Sequence, residues 1–224
     1  MIEVENLTKS YGKKKVLDGV SFKIKGGEFV SIVGASGAGK TTLIHVLIGK
    51  EVVDHGSVKI DNYDVANLKP SKVQEYRRKV GIVFQDYKLL PQKTVFENVA
   101  FALEVAGYGQ KFIEKRTIEV LKLVGLEEQR NNFPRQLSGG EAQRTAIARA
   151  LVHDPEMIIA DEPTGNLDPA NAQALAKLLL RINQYGTTVI FASHNQDLVS
   201  TIKKRVITLD RGRVTGDKMN ATYK

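Results

Sequence analysis

The stretch Phe29–Leu47, FVSIVGASGAGKTTLIHVL, decides how the rest of the chain is read. It opens on a short apolar run, bounded on the N-terminal side by Gly26 and Gly27, which is the pattern of a buried strand. It closes on Leu43, Val46 and Leu47 at helical spacing, with Gly49 as the stop. Between them lies G-x-x-x-x-G-K-[ST], running Gly34, Ala35, Ser36, Gly37, Ala38, Gly39, Lys40, Thr41. In that setting the glycines let backbone N–H groups wrap a chain of phosphates. Lys40 would reach the β- and γ-phosphates, and the Thr41 hydroxyl would hold Mg²⁺. Thr42 adds a second hydroxyl near the α-phosphate. A plain glycine turn is the alternative, and the strand before and helix after argue against it.

Three more short apolar runs end on a polar residue. MIIADE closes on two carboxylates, Asp161 and Glu162. The acid at this place in phosphate-loop enzymes holds the metal, which assigns Asp161 to Mg²⁺. Glu162 is then left to polarise an attacking water as general base. VGIVFQ ends on Gln85, which could bond a metal-bound water and sense the γ-phosphate. VIFASH ends on His194. A lone glutamine or histidine is usually structural. Four polar candidates that each follow a strand are another matter, because open α/β sheets bind ligands at the carboxyl ends of their strands.

The earlier part of the chain also reads as strands. In VLDGVSFKI, Leu17, Val20, Phe22 and Ile24 alternate with polar residues, and the register slips near Gly19. From Thr94 to Ala150 strand signals fade, and TVFENVAFALEVAG, FIEKRTIEVLKLVG and GGEAQRTAIARALV read as helices. A helical lobe inserted in an α/β core is expected. After NLDP, Asp168 suits an N-cap and Pro169 the first helical position, with Leu175, Leu178, Leu179 and Ile182 as the buried face. The tail GDKMNATYK is polar and expected to be loosely ordered.

QLSGGEAQRTAIARAL holds an ambiguity. Gly139 and Gly140 stand at a helix start, where phosphates bind. Ser138 and Glu141 stand at the S-x-x-E spacing of a capping box, which needs no ligand. There is no adjacent lysine.

Composition narrows the classes. Of 224 residues, 33 Lys+Arg against 25 Asp+Glu give a net charge of +8, favouring polyanionic partners. The basic residues form only small clusters, at Lys13–Lys15, Arg77–Lys79 and Lys203–Arg205, so no dedicated nucleic-acid binding is expected. No apolar run reaches the roughly 18 residues of a membrane span, and the start lacks a signal peptide's pattern, so a cytosolic protein is expected. The absence of cysteine excludes disulfides and thiolate metal sites. His45, His55 and His153 lack metal-ligand spacing and read as structural.

The phosphate loop, the glutamine, LSGGE, the Asp–Glu pair, NLD and the histidine occur in an order that resembles the ATP-binding-cassette (ABC) ATPases, over nearly the whole chain. The resemblance implies an α/β fold: a phosphate-loop NTPase (RecA-like) core with a small antiparallel β subdomain and an inserted α-helical subdomain. It implies one nucleotide-binding domain, with residues 1–90 and 151–224 as the core and β subdomain and about 91–150 as the helical signature subdomain. It implies a head-to-tail homodimer on ATP binding. In it Ser138, Gly139, Gly140 and Glu141 act on the partner subunit's ATP, and the loop of Asp168 makes the dimer contact. It further implies Tyr11 as the aromatic that stacks on adenine, and ATP and Mg²⁺ as cofactors.

DEPTGNLD resembles the branch whose members drive membrane proteins mechanically, release lipoproteins or export macrolides. RRKVGIVFQDYKLLPQKTVFENVAFAL resembles the FtsE-type cell-division ATPases of that family. That likeness implies a separate integral membrane subunit of the FtsX type, indirect control of extracellular peptidoglycan hydrolases, and a peripheral position on the cytoplasmic face of the membrane. A groove for the membrane subunit is expected at Asp86, Tyr87, Leu89, Leu90, Phe96 and Val99, with about half of the apolar members belonging to the core. Two departures stand out. Ser193 and Asn195 flank the histidine where THD is commoner, and Glu141 stands where Gln is commoner. Alternative readings are an ATPase for lipoprotein release or export, a soluble cassette acting on DNA or ribosomes, and a non-enzymatic nucleotide sensor.

Overall fold

The computed structural model describes residues 1–219. Its centre is a six-stranded sheet made of β3 (Phe29–Val33), β6 (Val80–Val83), β7 (Met157–Asp161), β8 (Thr188–Ser193), β9 (Arg205–Asp210) and β10 (Arg213–Lys218). The strand order is β10-β9-β3-β8-β7-β6. All neighbours pair in parallel except β10, which runs antiparallel to β9. Strands buried on both faces must be apolar throughout, which is why these runs show no alternation in sequence. Successive side chains nevertheless part to opposite sides. Phe29, Val33, Ile158, Ala160, Val189 and Phe191 enter one core, and Val30, Ile32, Met157, Ile159, Ile190 and Ala192 enter the other.

The second core lies beneath an antiparallel sheet of β1 (Ile2–Tyr11), β2 (Lys14–Ile24), β4 (His55–Ile60) and β5 (Tyr63–Asp64), ordered β2-β1-β4-β5. It also takes α1 (Lys40–Leu47), whose Leu43, Ile44, Val46 and Leu47 are buried. Leu17, Val20, Phe22 and Ile24 point inward from β2, and the β1–β2 register shifts between Leu7↔Val20 and Lys9↔Leu17. Gly19 takes φ 66° at that irregularity. A short helix, α2 (Pro70–Arg77), leads into β6.

The first core is closed by α3 (Val95–Val105), α4 (Gln110–Val124), α5 (Gly139–Leu151) and α6 (Pro169–Gln184), with α7 (Gln196–Ile202) at its margin. Between β6 and β7 the regular structure is helical. Thr94 and Glu97 form a capping box at the start of α3. Asp168 caps α6 by accepting from the backbone N–H of Ala170 and Asn171. Leu175, Leu179 and Ile182 are buried on α6, and Leu178 is half-buried.

The tail departs from expectation. Gly216, Asp217 and Lys218 belong to β10, because β9 offers a free edge and Arg205 binds both carboxylate oxygens of Asp217 at 2.7 Å. Residues 220–224 of the same tail lie outside the described residues.

Candidate functional site

Parallel neighbours end on the same edge of a sheet, so topology alone gathers four loops. Along that edge the strands run β3, β8, β7, β6; Gly34 follows β3 and His194 follows β8, β7 ends on Asp161 with Glu162 next, and Gln85 comes just beyond β6. His194 therefore comes between the phosphate loop and the acidic pair, an adjacency that chain order hides.

The loop from β3 into α1 is shaped by close backbone approach. A Cβ at Gly34 would stand 2.2 Å from the carbonyl oxygen of Leu209 in β9. Gly39, at φ 105°, is the left-handed N-cap of α1 and takes no side-chain cap. Lys40 curls back over the loop it ends. Its Nζ donates to the carbonyls of Gly34 at 2.7 Å and Ala35 at 3.2 Å, and lies 3.3 Å from Oε1 of Glu162.

Glu162 is the hub. Its backbone is left-handed, at φ 47°, and is tied to β8 by donation to the carbonyl of Ala192. Its Oε2 pairs with Nδ1 of His194 at 2.9 Å and accepts from the backbone N–H of His194 at 3.2 Å. Non-glycine residues held in this conformation concentrate at working sites.

Asp161 is 8% exposed, and burial holds its carboxyl above the ordinary range; neighbouring Glu162 adds to this, while the Thr41 hydroxyl opposes it. Oγ1 of Thr41 donates to Oδ1 of Asp161 across 3.5 Å. A hydroxyl and a carboxylate so disposed are hard oxygen ligands that suit Mg²⁺, which ordinarily keeps water and substrate phosphate in its shell. Among the described residues no three His, Cys, Asp or Glu could hold a metal by themselves, so such an ion would need those further ligands. Gln85 follows β6 after Phe84, and its amide lies against Gly165: a Cβ on that glycine would meet Nε2 at 2.7 Å.

Most of the predicted residues share one cleft of about 1160 Å³. Ala35, Ser36, Gly37, Gly39, Lys40, Thr41 and Thr42 line it together with Gln85, Glu162 and His194. Tyr11, 46% exposed at the end of β1, lies at the rim. Gly34 and Ala38 do not line the cleft, and the Ala38 carbonyl accepts from the N–H of Gly212. Sequence reasoning missed Lys14, Lys15, Val16 and Arg211, which also line it. Only tertiary structure brings the β9–β10 turn beside the phosphate loop.

Ser138, Gly139, Gly140 and Glu141 do not line this cleft. They start α5 with a complete capping box. The Ser138 backbone N–H and hydroxyl donate to Oε2 of Glu141 at 2.8 and 2.7 Å, and the Glu141 N–H donates back to the hydroxyl. The Ser138 backbone donation, more than its hydroxyl, holds the Glu141 carboxyl below its usual range. Asn171, held by Asp168, abuts Gly140. Asp168 too lies off the cleft and spends its carboxylate on the α6 cap.

Of the expected groove residues, Asp86 is exposed, and Tyr87, Leu89, Leu90 and Phe96 are half-buried. Val99 is fully buried among the helices and cannot line a surface. His45 is half-buried, with Lys50 beside it, and burial lowers its pKa. His55 is exposed on β4. His153 is half-buried with an unpartnered Nε2.

A phosphate loop on one strand end, a carboxylate pair two strands away and a histidine between them define a phosphate-loop ATPase cassette. Residues 17–165 match the ABC transporter family. The chain is 48% identical to the cell division ATP-binding protein FtsE of Streptococcus pneumoniae, covering 100% of this chain and 97% of that protein. It is 49% identical to FtsE of Bacillus subtilis, covering 100% and 98%. It is also 42% identical to the methionine import ATP-binding protein MetN of Clostridioides difficile, over 96% of this chain and 67% of that one. Among solved structures it resembles the ATP-binding cassette MJ0796, dimeric in a post-hydrolysis state with ADP and Pi, at TM-score 0.89 and 36% identity over 100% of both chains. The chain belongs to the ABC transporter family and is an ATP-hydrolysing ABC ATPase of the FtsE type.

Proposed function

We propose that the cleft binds ATP with Tyr11 against adenine and the 34–42 loop around the phosphates, and that Glu162 is the general base of hydrolysis. The observation that carries this is the position of Glu162, between Lys40 and His194 on the cleft wall. When the β- and γ-phosphate oxygens take Nζ of Lys40, Oε1 of Glu162 loses that partner and turns to water. Water attacks the γ-phosphorus, its proton passes to Glu162, and the bond to the β–γ bridging oxygen breaks, giving ADP and inorganic phosphate. Thr41, Asp161 and, through water, Gln85 would hold Mg²⁺, which supplies charge neutralisation at the phosphates. His194 holds Glu162 in place and reads the γ-phosphate.

Two subunits close head to tail on ATP, a reading supported by the dimeric cassette that this chain resembles. The capping box of α5 occupies Ser138 and Glu141, and the N–H groups of Gly139 and Gly140 take no partner among the described residues. With the positive end of the helix dipole they would meet the partner subunit's γ-phosphate. Lysine is supplied by that subunit's own loop, and the Asp168 loop lies at the contact.

The closing motion acts on an integral membrane subunit of the FtsX type, and so on peptidoglycan hydrolases outside the cell during division. The names of the full-length relatives support this. The protein would sit peripherally on the cytoplasmic face of the membrane, with Asp86, Tyr87, Leu89, Leu90 and Phe96 at the groove.

Glu162→Gln tests the chemistry. Nucleotide binding should persist and ATP should trap a dimer in size-exclusion chromatography, while phosphate release falls by about 10²–10⁴-fold. Wild-type turnover in that variant would falsify the assignment. Charge swaps at Asp86 that leave membrane-subunit capture and division intact would remove the groove from the proposal.

A further inference from the structure

After Gln85 the chain makes an unusual turn. Tyr87 and Lys88 are consecutive non-glycine residues in the left-handed region, at φ 58° and 49°. Such a pair is costly unless its surroundings over-determine it. Local bonds are few: Tyr87 N–H donates to the Phe84 carbonyl and Lys88 N–H to that of Asp86. Asn98 holds Leu90 just beyond the turn at both its N–H and its carbonyl, and the Tyr87 and Lys88 carbonyls themselves are held by Arg149, near the C-terminal end of α5. Its Nη2 donates to the Tyr87 carbonyl at 2.8 Å and its Nη1 to the Lys88 carbonyl at 2.7 Å.

This guanidinium is half-buried and forms no ion pair among the described residues; Asp86, in the same turn, pairs with Lys88. A cation in no ion pair, with both arms on two successive strained carbonyls, suits a residue that fixes backbone geometry. A planar fork reaches the two carbonyls from two separate nitrogens in one fixed geometry, which the single ammonium of lysine does not reproduce. The other end of α5 meets the same turn. A Cβ on Gly139 would stand 3.3 Å from the Tyr87 hydroxyl. On the remaining side, Nδ2 of Asn166 donates to the Gln85 carbonyl at 3.1 Å.

We propose that Arg149 is a positioning residue for Gln85: it locks the 87–88 turn to α5, so that Gln85 and the glycine start of that helix move as one unit. The proposal rests on the reading of Gln85 given above. It makes α5 a bar with a phosphate-facing end and a glutamine-holding end. Nucleotide contact at Gly139–Gly140 would then be felt at Gln85 through one rigid helix.

The test uses Arg149→Gln, Arg149→Lys, Gln85→Ala and the Arg149→Gln/Gln85→Ala double variant in the full chain. Phosphate release, its Mg²⁺ midpoint and the affinity for ATP in EDTA are measured. Arg149→Gln should lower kcat by about tenfold and raise the Mg²⁺ midpoint, within the range of coupling energies between contacting networks. ATP affinity in EDTA should stay within about twofold of wild type. Arg149→Lys, which keeps charge and fold, should recover only part of kcat. In the Gln85→Ala background the substitution at Arg149 should change kcat by less than about twofold. A full drop in that background overturns the clamp while leaving Gln85 its role. So does a wild-type kcat and midpoint in Arg149→Lys and Arg149→Gln. Wild-type turnover in Gln85→Ala alone would overturn the reading of Gln85, and the clamp with it.

Discussion

Oε2 of Glu162 lies 2.9 Å from Nδ1 of His194, while Oε1 of the same carboxylate lies 3.3 Å from Nζ of Lys40. One acid thus joins two residues 154 positions apart in sequence, as 194 minus 40. His194 is well exposed and Glu162 is not, so the histidine can leave without opening the core. His194→Ala should therefore keep ATP affinity and the fold, and lower kcat by about 10²-fold, the lower edge for a proton-handling pair. Isothermal titration and phosphate release measured together check this; weakened ATP binding with normal kcat would contradict it.

Asp161 is held above the ordinary carboxylate range chiefly by burial. A carboxyl raised in this way favours the folded state while protonated. That contribution is full below the unfolded value of about 3.9 and is lost as pH rises through the folded value. At pH 7 the ionised Asp161 is a cost to the nucleotide-free fold. Asp161→Asn should raise that fold's stability by about 1 kcal/mol and abolish Mg²⁺-dependent turnover, the trade expected of a strained site. Urea unfolding in EDTA at pH 7 and at pH 4 provides the check, with the gain shrinking at the lower pH.

Gly34 leaves no room for a side chain. Its Cβ would fall 2.2 Å from a backbone oxygen of β9, which cannot swing aside as a side-chain tip could. Gly34→Ala should destabilise the chain by about 1–3 kcal/mol through overpacking. It should also weaken ATP binding, because β9 must shift against the phosphate loop. Urea midpoints together with nucleotide titration would show both effects; an unchanged midpoint would mean that the strand yields freely.

Glu141 completes a capping box that glutamine can also complete. Glu141→Gln should leave thermal stability at pH 7 nearly unchanged. It removes a negative charge from the helix start that is proposed to meet the partner subunit's phosphate, so ATP-dependent dimerisation should increase. Acid separates the two side chains further. The Glu141 carboxyl is lowered by its bond to Ser138, so its support for the helix is full above about pH 4.3 and fades as pH falls through the folded value. The glutamine variant should lose no capping support over that interval, as followed by helical circular dichroism.

Legibility varied with range. The Lys40 loop, the caps at Ser138 and Asp168 and the buried runs of β3, β7 and β8 each rest on spacings within about ten residues, and local backbone geometry enforces them. The apolar groove candidates divide between surface and core, and the spacing along α3 does not say which is which; Val99 falls in the core that α3 shares with α4 and α5. The strand end at Gly216–Lys218 was overlooked because its residues are polar. What holds it is pairing with β9 and the bond from Arg205, neither of which leaves a local trace.

The sequence by itself determined the class of chemistry, because a phosphate-binding loop needs glycine, lysine and threonine at set separations along one chain. It also determined where α5 and α6 start, since capping is a contact over three residues. Only the tertiary structure decided that His194 stands beside Glu162, that Arg211 reaches the cleft and that Arg149 holds the turn after Gln85. These follow from the order of strands in the sheet and from which helix covers which face. Both are set by burial of apolar surface that is summed over the whole chain, and no short spacing records that sum.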